Sequence, residues 1–511
     1  MVGTFIAALE ATVVGTAMPT VIATLGGLNH YSWVFSAYLV TSTISVPVWG
    51  KLSDLYGRRL LYQIGIGVFL IGTLLSGFST SMTELIAFRA LQGLGAGALV
   101  PLGMTIIGDI FTLQERARMQ AFFSGVWGLS SVIGPMVGGF VTDQMSWRWV
   151  FWINLPIGVL AAIIIGISLK EPKHDQKPTI DYAGALVLMA AISLFMLVLV
   201  ESGSTPETIF APFNVALFSL SVVLMALFYF IEQRAKDPII PFSLFKNRTI
   251  LVAVIAGFLA GIAMFGAISF VPLFAQGTLG FTATQAGSLL TPLMLSWVTF
   301  SVIGGRLLIK LGYRPVALVG FLVLTAGFVS LALFQPQYDT KWMYFDLVLI
   351  GSGLGLTMLT LLIAVQQAVD RSQLGIATSL NQFTRAIGGA LGVGVMGSVL
   401  SAGLSRHLLQ AAAAGTGGLS AEKAAEFASN PNALIEPAAK ASLDPAILAV
   451  LQQAMGASIH MVFWVGAAMA FLAFIAAFFL PRTGRPASGA NGPKTLIAQQ
   501  TTINQRNQTA A

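Results

Sequence analysis

Cysteine is missing altogether, and histidine nearly so, with four residues far apart in sequence. Disulfides, thiolate metal sites and thiol catalysis are therefore excluded, and no metal centre is expected. Charge is scarce as well: 9% of residues are Asp, Glu, Lys or Arg, against roughly 25% in a soluble domain. A chain of 511 residues with so few charges cannot cover a water-facing surface, so lipid must be most of its solvent. No nucleotide-binding loop and no His/Asp/Glu cluster at metal spacing can be found. That argues against an ATP-driven pump and against a membrane enzyme, and no cofactor is expected. No basic stretch precedes the first apolar run, which argues against a cleavable signal peptide.

What is abundant is apolar length: 56% of residues are hydrophobic. A spanning helix needs about 20 mostly apolar residues. Such runs fall at 2–24, 33–53, 61–80, 82–108, 119–142, 150–169, 182–201, 212–231, 250–275, 284–308, 315–334, 343–367, 375–402 and 457–480. They are continuous rather than alternating, which excludes a transmembrane β-barrel. The expectation is an all-α polytopic membrane protein of about fourteen helices.

The formal net charge is +7, yet the basic residues form no single patch of the kind nucleic acid requires. They recur in short clusters between apolar runs. With an even number of spans, both termini share one side, and that side holds 20 of the 27 Lys and Arg. Among them are Lys51, Arg58, Arg59, Arg116, Arg234, Arg306, Lys310 and Arg371. The opposite side has Arg148, Lys341, Arg406, Lys423 and Lys440, while Arg89 and Arg385 lie inside spans. The positive-inside rule then predicts cytoplasmic termini. The first span starts abruptly and without a basic flank, as in a chain that begins upstream or has been truncated.

Most connections are short. Residues 403–456 are expected to form a long external loop, with Asn430-Pro431 as a breaker. Within it, Asp444-Pro445 reads as an N-cap and first-turn proline of a short amphipathic helix. Residues 481–511 are polar and aperiodic, and are expected to be a disordered cytoplasmic tail.

Three features recur at nearly constant offset. Gly50-Lys51-Leu52-Ser53-Asp54-Leu55-Tyr56-Gly57-Arg58-Arg59 has a weaker echo in Gly305-Arg306-Leu307 through Gly312-Tyr313-Arg314, 255 residues on. Gly93, Gly95 and Gly97 match Gly351, Gly353 and Gly355 at 258, and Gly134, Pro135 and Gly138 match Gly388, Gly389 and Gly392 at 254. The pattern divides the chain into a six-helix half, 1–169, two inserted helices with their linkers, 170–249, and a second six-helix half, 250–480. Parallel halves of this kind place a site near the membrane midplane in many transporters.

These motifs resemble the major facilitator superfamily, and within it the group of fourteen-helix drug:proton antiporters. The turn Gly50–Arg59 fits the superfamily pattern Gly-x-Leu-x-Asp-x-x-Gly-Arg-Arg between the second and third spans. Arg89, Gln92, Gly93, Gly95 and Gly97 look like the fourth-span motif. Gly134-Pro135-x-x-Gly138-Gly139 looks like the antiporter motif of the fifth span, with Ser130 where that pattern usually has glycine. Trp147 through Gly158 resembles the segment entering the sixth span, and Leu9-Glu10-Ala11-Thr12-Val13-Val14, closing with Ala17-Met18-Pro19, resembles the first-span motif. Many relatives have aspartate where this chain has Glu10. The resemblance implies export of hydrophobic or amphiphilic compounds from a bacterial cell across its cytoplasmic (inner) membrane. It implies alternating access driven by the proton gradient, and a chain that works as a monomer.

The residues support specific expectations. Asp54 can pair with Arg58 and Arg59, and can also face the positive N-terminal end of the thirteenth span near Gly375; Gly50 and Gly57 suit a tight, packed turn. The resemblance implies that this turn latches the halves on the cytoplasmic face. In the second copy Ile309 replaces the acid and Tyr313 the first arginine, so any latch there is weaker. Glu10 and Arg89 are ionisable groups within apolar spans and are functional candidates for that reason. A carboxyl removed from water can take and release a proton near neutrality, which makes Glu10 the candidate proton carrier or cation partner. Arg89 keeps its proton and is expected to set the local potential. At 1.5 Å rise per residue, Arg89 is expected about 10 Å inside the external end of its span and Glu10 about 20 Å inside. A direct pair between them then requires tilted helices or a misplaced boundary.

Asn381 and Arg385 share a face of the thirteenth span; with Gln92 and Gln382 they are cavity candidates, the alternative being a buried structural network. Glycines spaced four apart allow close helix packing, and Pro135 predicts a kink. The resemblance adds a seal against leak to Gly134, Pro135, Gly138 and Gly139. The 35 phenylalanines and 18 methionines can line an adaptable cavity as readily as they face lipid. Alternative readings are a proton-coupled symporter, an exporter of one metabolite or siderophore, and, less well supported, a channel or membrane enzyme. Whether a membrane-fusion partner carries the cargo onward stays open at this level.

Overall fold

A computed structural model describes residues 2–25, 31–112, 144–169, 181–201, 211–236, 238–281, 283–335, 339–429 and 443–481, with scattered positions between 115 and 142. The described residues are helical throughout their ordered elements, with no strand among them. Ten helices among them are long and apolar enough to cross a membrane. With α1 (Val2–Leu25), α2 (Tyr31–Tyr56) and α7 (Tyr182–Glu201), and helical positions within 119–142, they fit the fourteen expected spans.

The first group comprises α1, α2, α3 (Arg58–Phe78), α4 (Met82–Ile110), a single helical turn α5 (Trp149–Trp152) and α6 (Asn154–Ser168). The hairpin α7 with α8 (Pro212–Arg234) follows. The last group is α9 (Arg248–Gly277), α10 (Leu290–Leu311), α11 (Tyr313–Leu333), α12 (Thr340–Gln367), α13 (Leu374–Ala413) and α14 (Pro445–Ala477). Local signals explain the starts. Ser81 accepts the Glu84 N–H while Glu84 Oε2 accepts the Thr80 N–H, a reciprocal cap at the head of α4. Asn247 and Asp339 cap α9 and α12 through their side chains.

The region 403–456 differs from expectation. Helix α13 runs on to Ala413, and Asp444-Pro445 does cap a helix, but that helix is α14 itself, continuous to Ala477. A surface helix, Ala421–Ser429, lies between them. Alanine-rich stretches carry high helix propensity, so both helices extend beyond the apolar runs that hydropathy detects.

Glycine contacts organise the packing, and they recur at the sequence offset. A Cβ on Gly95 would strike the Phe69 N and Gly65 O of α3, and one on Gly353 would strike the Leu324 N and Gly320 O of α11, each neighbour displaced by 255. Gly93 meets Tyr38 and Thr41 of α2 as Gly351 meets Leu293 and Ser296 of α10. Gly97 lies against Ser42 and Ser45 of α2, and Gly355 against Trp297 and Phe300 of α10. Small residues let backbones approach where lipid supplies no hydrophobic drive between helices. Gly57 (φ 95°) and Gly312 (φ 83°), also 255 apart, make the reversals into α3 and α11 in a region closed to most side chains.

The two groups meet where α13 runs against α2 and α4. The α7–α8 hairpin rests on α2 and joins an apolar cluster with Ile44 of α2, Leu188 and Ile192 of α7, Phe228 of α8 and Leu380 of α13.

Candidate functional site

One polar assembly lies inside the first group of helices. Glu10 (0% exposed) and Arg89 (2%) are sealed from solvent, and Arg89 Nη1 donates to Glu10 Oε1 at 2.5 Å. The second carboxylate oxygen of Glu10 accepts from Asn154 Nδ2 at 2.6 Å. Arg89 Nη1 also donates to Gln92 Oε1 at 2.6 Å, and Gln92 Nε2 donates to Thr73 Oγ1 at 2.8 Å. The Arg89 Nε reaches the Val34 carbonyl at 3.3 Å, and its guanidinium lies 4.2 Å from the centre of the Tyr38 ring. Five elements, α1, α2, α3, α4 and α6, thus converge on one ion pair.

The direct pair corrects the depth expectation. The observed bounds of α1 and α4 agree with the expected spans to within two residues, so no boundary was misplaced. Counting depth from level, parallel ends is what overstates the separation: α1 and α4 pack directly against each other, and the long Arg89 and Glu10 side chains meet.

The aromatic segment entering α6 is built around the same pair. Arg148 Nη2 donates to the Ser79 carbonyl and stacks on Trp147, while Trp152 Nε1 donates to the Leu74 carbonyl. These anchors direct the buried Phe151 toward the Arg89 guanidinium, at 5.9 Å, and Asn154 onto Glu10. In the sequence Asn154 stands only within the motif Trp147 through Gly158. The signal that could have singled it out is an amide heading an otherwise apolar span.

A second assembly joins the two groups of helices. Asp54 Oδ1 accepts the Gly375 N–H and Oδ2 the Ile376 N–H, both at 2.9 Å. These are orphan donors in the first turn of α13, whose own N-cap residue, Gln373, supplies no side-chain bond. Asp54 therefore caps α13 from the other group, with its charge on the positive end of the helix dipole. Arg58 Nη2 donates to Asp54 Oδ1 at 2.8 Å and to the Arg371 carbonyl at 2.9 Å. Asp109, not anticipated from sequence, takes the Arg58 Nε at 2.8 Å and accepts from Arg371 Nε at 3.0 Å. Arg58 is the arginine ion-paired with Asp54, and Arg59 sits half-buried beside it. Gly50 and Gly375 allow the approach: a Cβ on Gly375 would lie 2.6 Å from the Gly50 carbonyl and 2.7 Å from Asp54 Oδ1.

Farther along α13, Gln382 Nε2 donates to Met104 Sδ of α4 at 2.8 Å, across the boundary between the groups. Asn381 is buried beside Gly257 of α9. Arg385 is half-buried, with one side-chain hydrogen bond among the described residues, from Nη1 to Met358 Sδ of α12 at 3.7 Å. Of the fifth-span motif, Gly134 and Gly138 are buried helical positions; Pro135 and Gly139 lie outside the described residues. No group of three or more potential metal ligands occurs among the described residues.

A membrane protein of two repeated helix groups, with a buried charge pair in one and a polar clasp between them, has the build of a two-halved carrier. The family model of the Major Facilitator Superfamily matches residues 1–393. The multidrug transporter protein MdtP of Bacillus subtilis (strain 168) is 37% identical over 496 residues, covering 94% of this chain and 91% of that protein. Multidrug resistance protein 3 of the same organism is 35% identical, covering 94% and 93%. Among solved structures, the proton:xylose symporter XylE superposes with a TM-score of 0.59 at 13% identity, covering 94% of each chain. The human organic anion transporter MFSD10 gives 0.58 at 15%, covering 93% and 98%. The chain belongs to the Major Facilitator Superfamily, whose members are transporters and not enzymes.

Proposed function

We propose that this protein is a proton-coupled antiporter that exports hydrophobic or amphiphilic small molecules across the bacterial cytoplasmic membrane, both termini being cytoplasmic. The observation that carries the reading is the sealed Glu10–Arg89 pair with Asn154 on the second carboxylate oxygen. A charge in the membrane interior is costly and is retained where it serves transport. Here the carboxylate is matched to a cation that cannot itself give up a proton. A proton arriving on Glu10 cancels the pair and frees Arg89 from it; loss of that proton restores the pair. Exchange of this kind can be tied to conformational change, because the pair and its partners join α1, α2, α4 and α6.

The Asp54 assembly acts as the cytoplasmic latch. It holds α13 against α2 through two charge-assisted bonds, each worth about 1.5–3 kcal/mol, and both go to water when the halves part. Gly134, Pro135, Gly138 and Gly139 seal the path between them. The gradient supplies the energy without a bound cofactor, and a monomer suffices. Export of varied compounds, rather than of one metabolite, draws support from the two Bacillus relatives, both named for multidrug transport.

The test is efflux from proteoliposomes under an imposed pH gradient, across a panel of lipophilic compounds. Gradient-driven efflux that an uncoupler abolishes is the expected result. Efflux indifferent to the uncoupler would remove proton coupling from the reading.

A further inference from the structure

Arg385 is the intramembrane cation that the mechanism above does not use. It lies about 16 Å along α13 from Leu374, counting 1.5 Å per residue, which is close to half of a hydrocarbon core of about 30 Å. Its face of the helix is defined by Gln382, three residues earlier, which bonds Met104 of α4 across the boundary between the halves. Arg385 therefore sits one turn beyond the last hydrogen bond that ties α13 to α4, at the depth where transporters of this build bind cargo.

A guanidinium carries five N–H donors. Among those of Arg385, one meets Met358 Sδ at 3.7 Å, and sulfur is a weak acceptor. The other donors have no partner among the described residues, and they are not among the nitrogens sealed inside protein. None of the described carboxylates pairs with Arg385. Glu10 is held by Arg89 and Asn154, Asp109 at the cytoplasmic end by Arg58 and Arg371, and Asp346 bonds Ser330 while its buried Oδ1 has no hydrogen-bond partner among the described residues. The stretch 119–142 contains no Asp or Glu that could serve.

We infer that Arg385 binds the anionic group of the cargo, and that the preferred substrates are amphiphiles bearing a carboxylate or a similar planar acid rather than lipophilic cations. The fork of an arginine matches a carboxylate with two parallel bonds. Met358 and Met104 offer adaptable apolar surface for the rest of such a molecule. The one carboxylate deep in the first half, Glu10, is neutralised by its own arginine, so a cation finds no unpaired partner there, whereas an anion does at Arg385. The inference rests on the export reading for there being a cargo site beside Arg385.

The test is equilibrium binding to the full-length protein in nanodiscs, using 1-pyrenebutyrate and 4-(1-pyrenyl)butylamine, which share an apolar frame and differ in charge. The carboxylate is expected to bind at least tenfold tighter, and Arg385→Gln is expected to bring the ratio near one. The amine measured on the same preparation reports whether the variant still folds and binds an apolar frame. If the Gln variant binds neither probe, Arg385→Lys decides: a residual carboxylate preference supports the inference, and its loss overturns it. Equal binding, tighter binding of the amine, or no measurable binding of the carboxylate by the unaltered protein overturns it as well. A preference for the amine leaves proton-driven export standing. A carboxylate preference without gradient-driven efflux sinks the export reading instead.

Discussion

The two repeated groups of helices share a frame and differ in what fills it. Gly72 packs on Gln92 in the first group, and its counterpart Gly327 packs on Ile350 in the second. At the same offsets, Arg89 corresponds to Leu347 and Thr73 to Phe328, both fully buried core residues. The second group is thus apolar at each position where the first carries the Arg89–Gln92–Thr73 chain. The same divergence marks the turns. Gly57 and Gly312 make the same reversal, yet Asp54 and Arg58 have become Ile309 and Tyr313, and the Asp54 clasp has no counterpart among the described residues. The glycines preserve how helices approach, and departures from the repeat carry the chemistry.

Breaking the contrast at its centre should give the largest effect. Glu10→Gln leaves Arg89 buried without its counter-charge, a loss of about 3–5 kcal/mol, and gradient-driven efflux should vanish in proteoliposomes. Uncoupler-sensitive efflux at the unaltered rate in this variant would remove Glu10 from the coupling step. Asp54→Asn comes next. It weakens the charged cap on α13 and the Arg58 pair, and should destabilise the closed cytoplasmic face by about 2–4 kcal/mol. Spin labels across α2 and α13 should report that change as a shift toward longer distances; an unchanged distribution would deny the latch.

Making the first group resemble the second gives a sharper test. Replacing Glu10 and Arg89 together by leucine removes both charges. Exchanging a buried ion pair for apolar residues is often neutral or stabilising by about 1–4 kcal/mol. The double variant should therefore unfold no earlier than the unaltered protein in a thermal melt and yet fail to transport; a lower melting temperature would mean that the pair is needed to hold the fold. The smallest effect is expected at Thr73→Val, which deletes the bond to Gln92 at about 1 kcal/mol. Efflux should slow modestly, and a complete loss would assign Thr73 more than support of Gln92.

Much of the fold was legible because lipid imposes a simple demand. Each span must be apolar and about 20 residues long, so α3, α4, α11 and α12 begin and end close to where hydropathy puts them. The extensions of α13 to Ala413 and of α14 back to Pro445 were not legible, since they leave the apolar runs and rest on alanine-rich helix propensity. In the site, the meeting of Asp54 with the head of α13 could be anticipated from polarity alone: an acid at one loop faces the start of a helix on the same side. Asp109 could not, because nothing in its surroundings in the chain marks an acid in the last turn of α4 as a partner for Arg58 in the first turn of α3.

The amino-acid sequence by itself determined that this is a polytopic membrane protein with an internal repeat, and that Glu10, Arg89 and Arg385 are its anomalous charges. Composition and spacing suffice for that, since both act along the chain. Only the tertiary structure decided how those charges are shared. The packing of α1 on α4 brings Glu10 and Arg89 into contact and lets Asn154 close the pair, while α13 carries Arg385 past its bond to α4 and leaves it without a carboxylate among the described residues. Such meetings arise from side-chain packing between elements, and no count of residues from a helix end contains them.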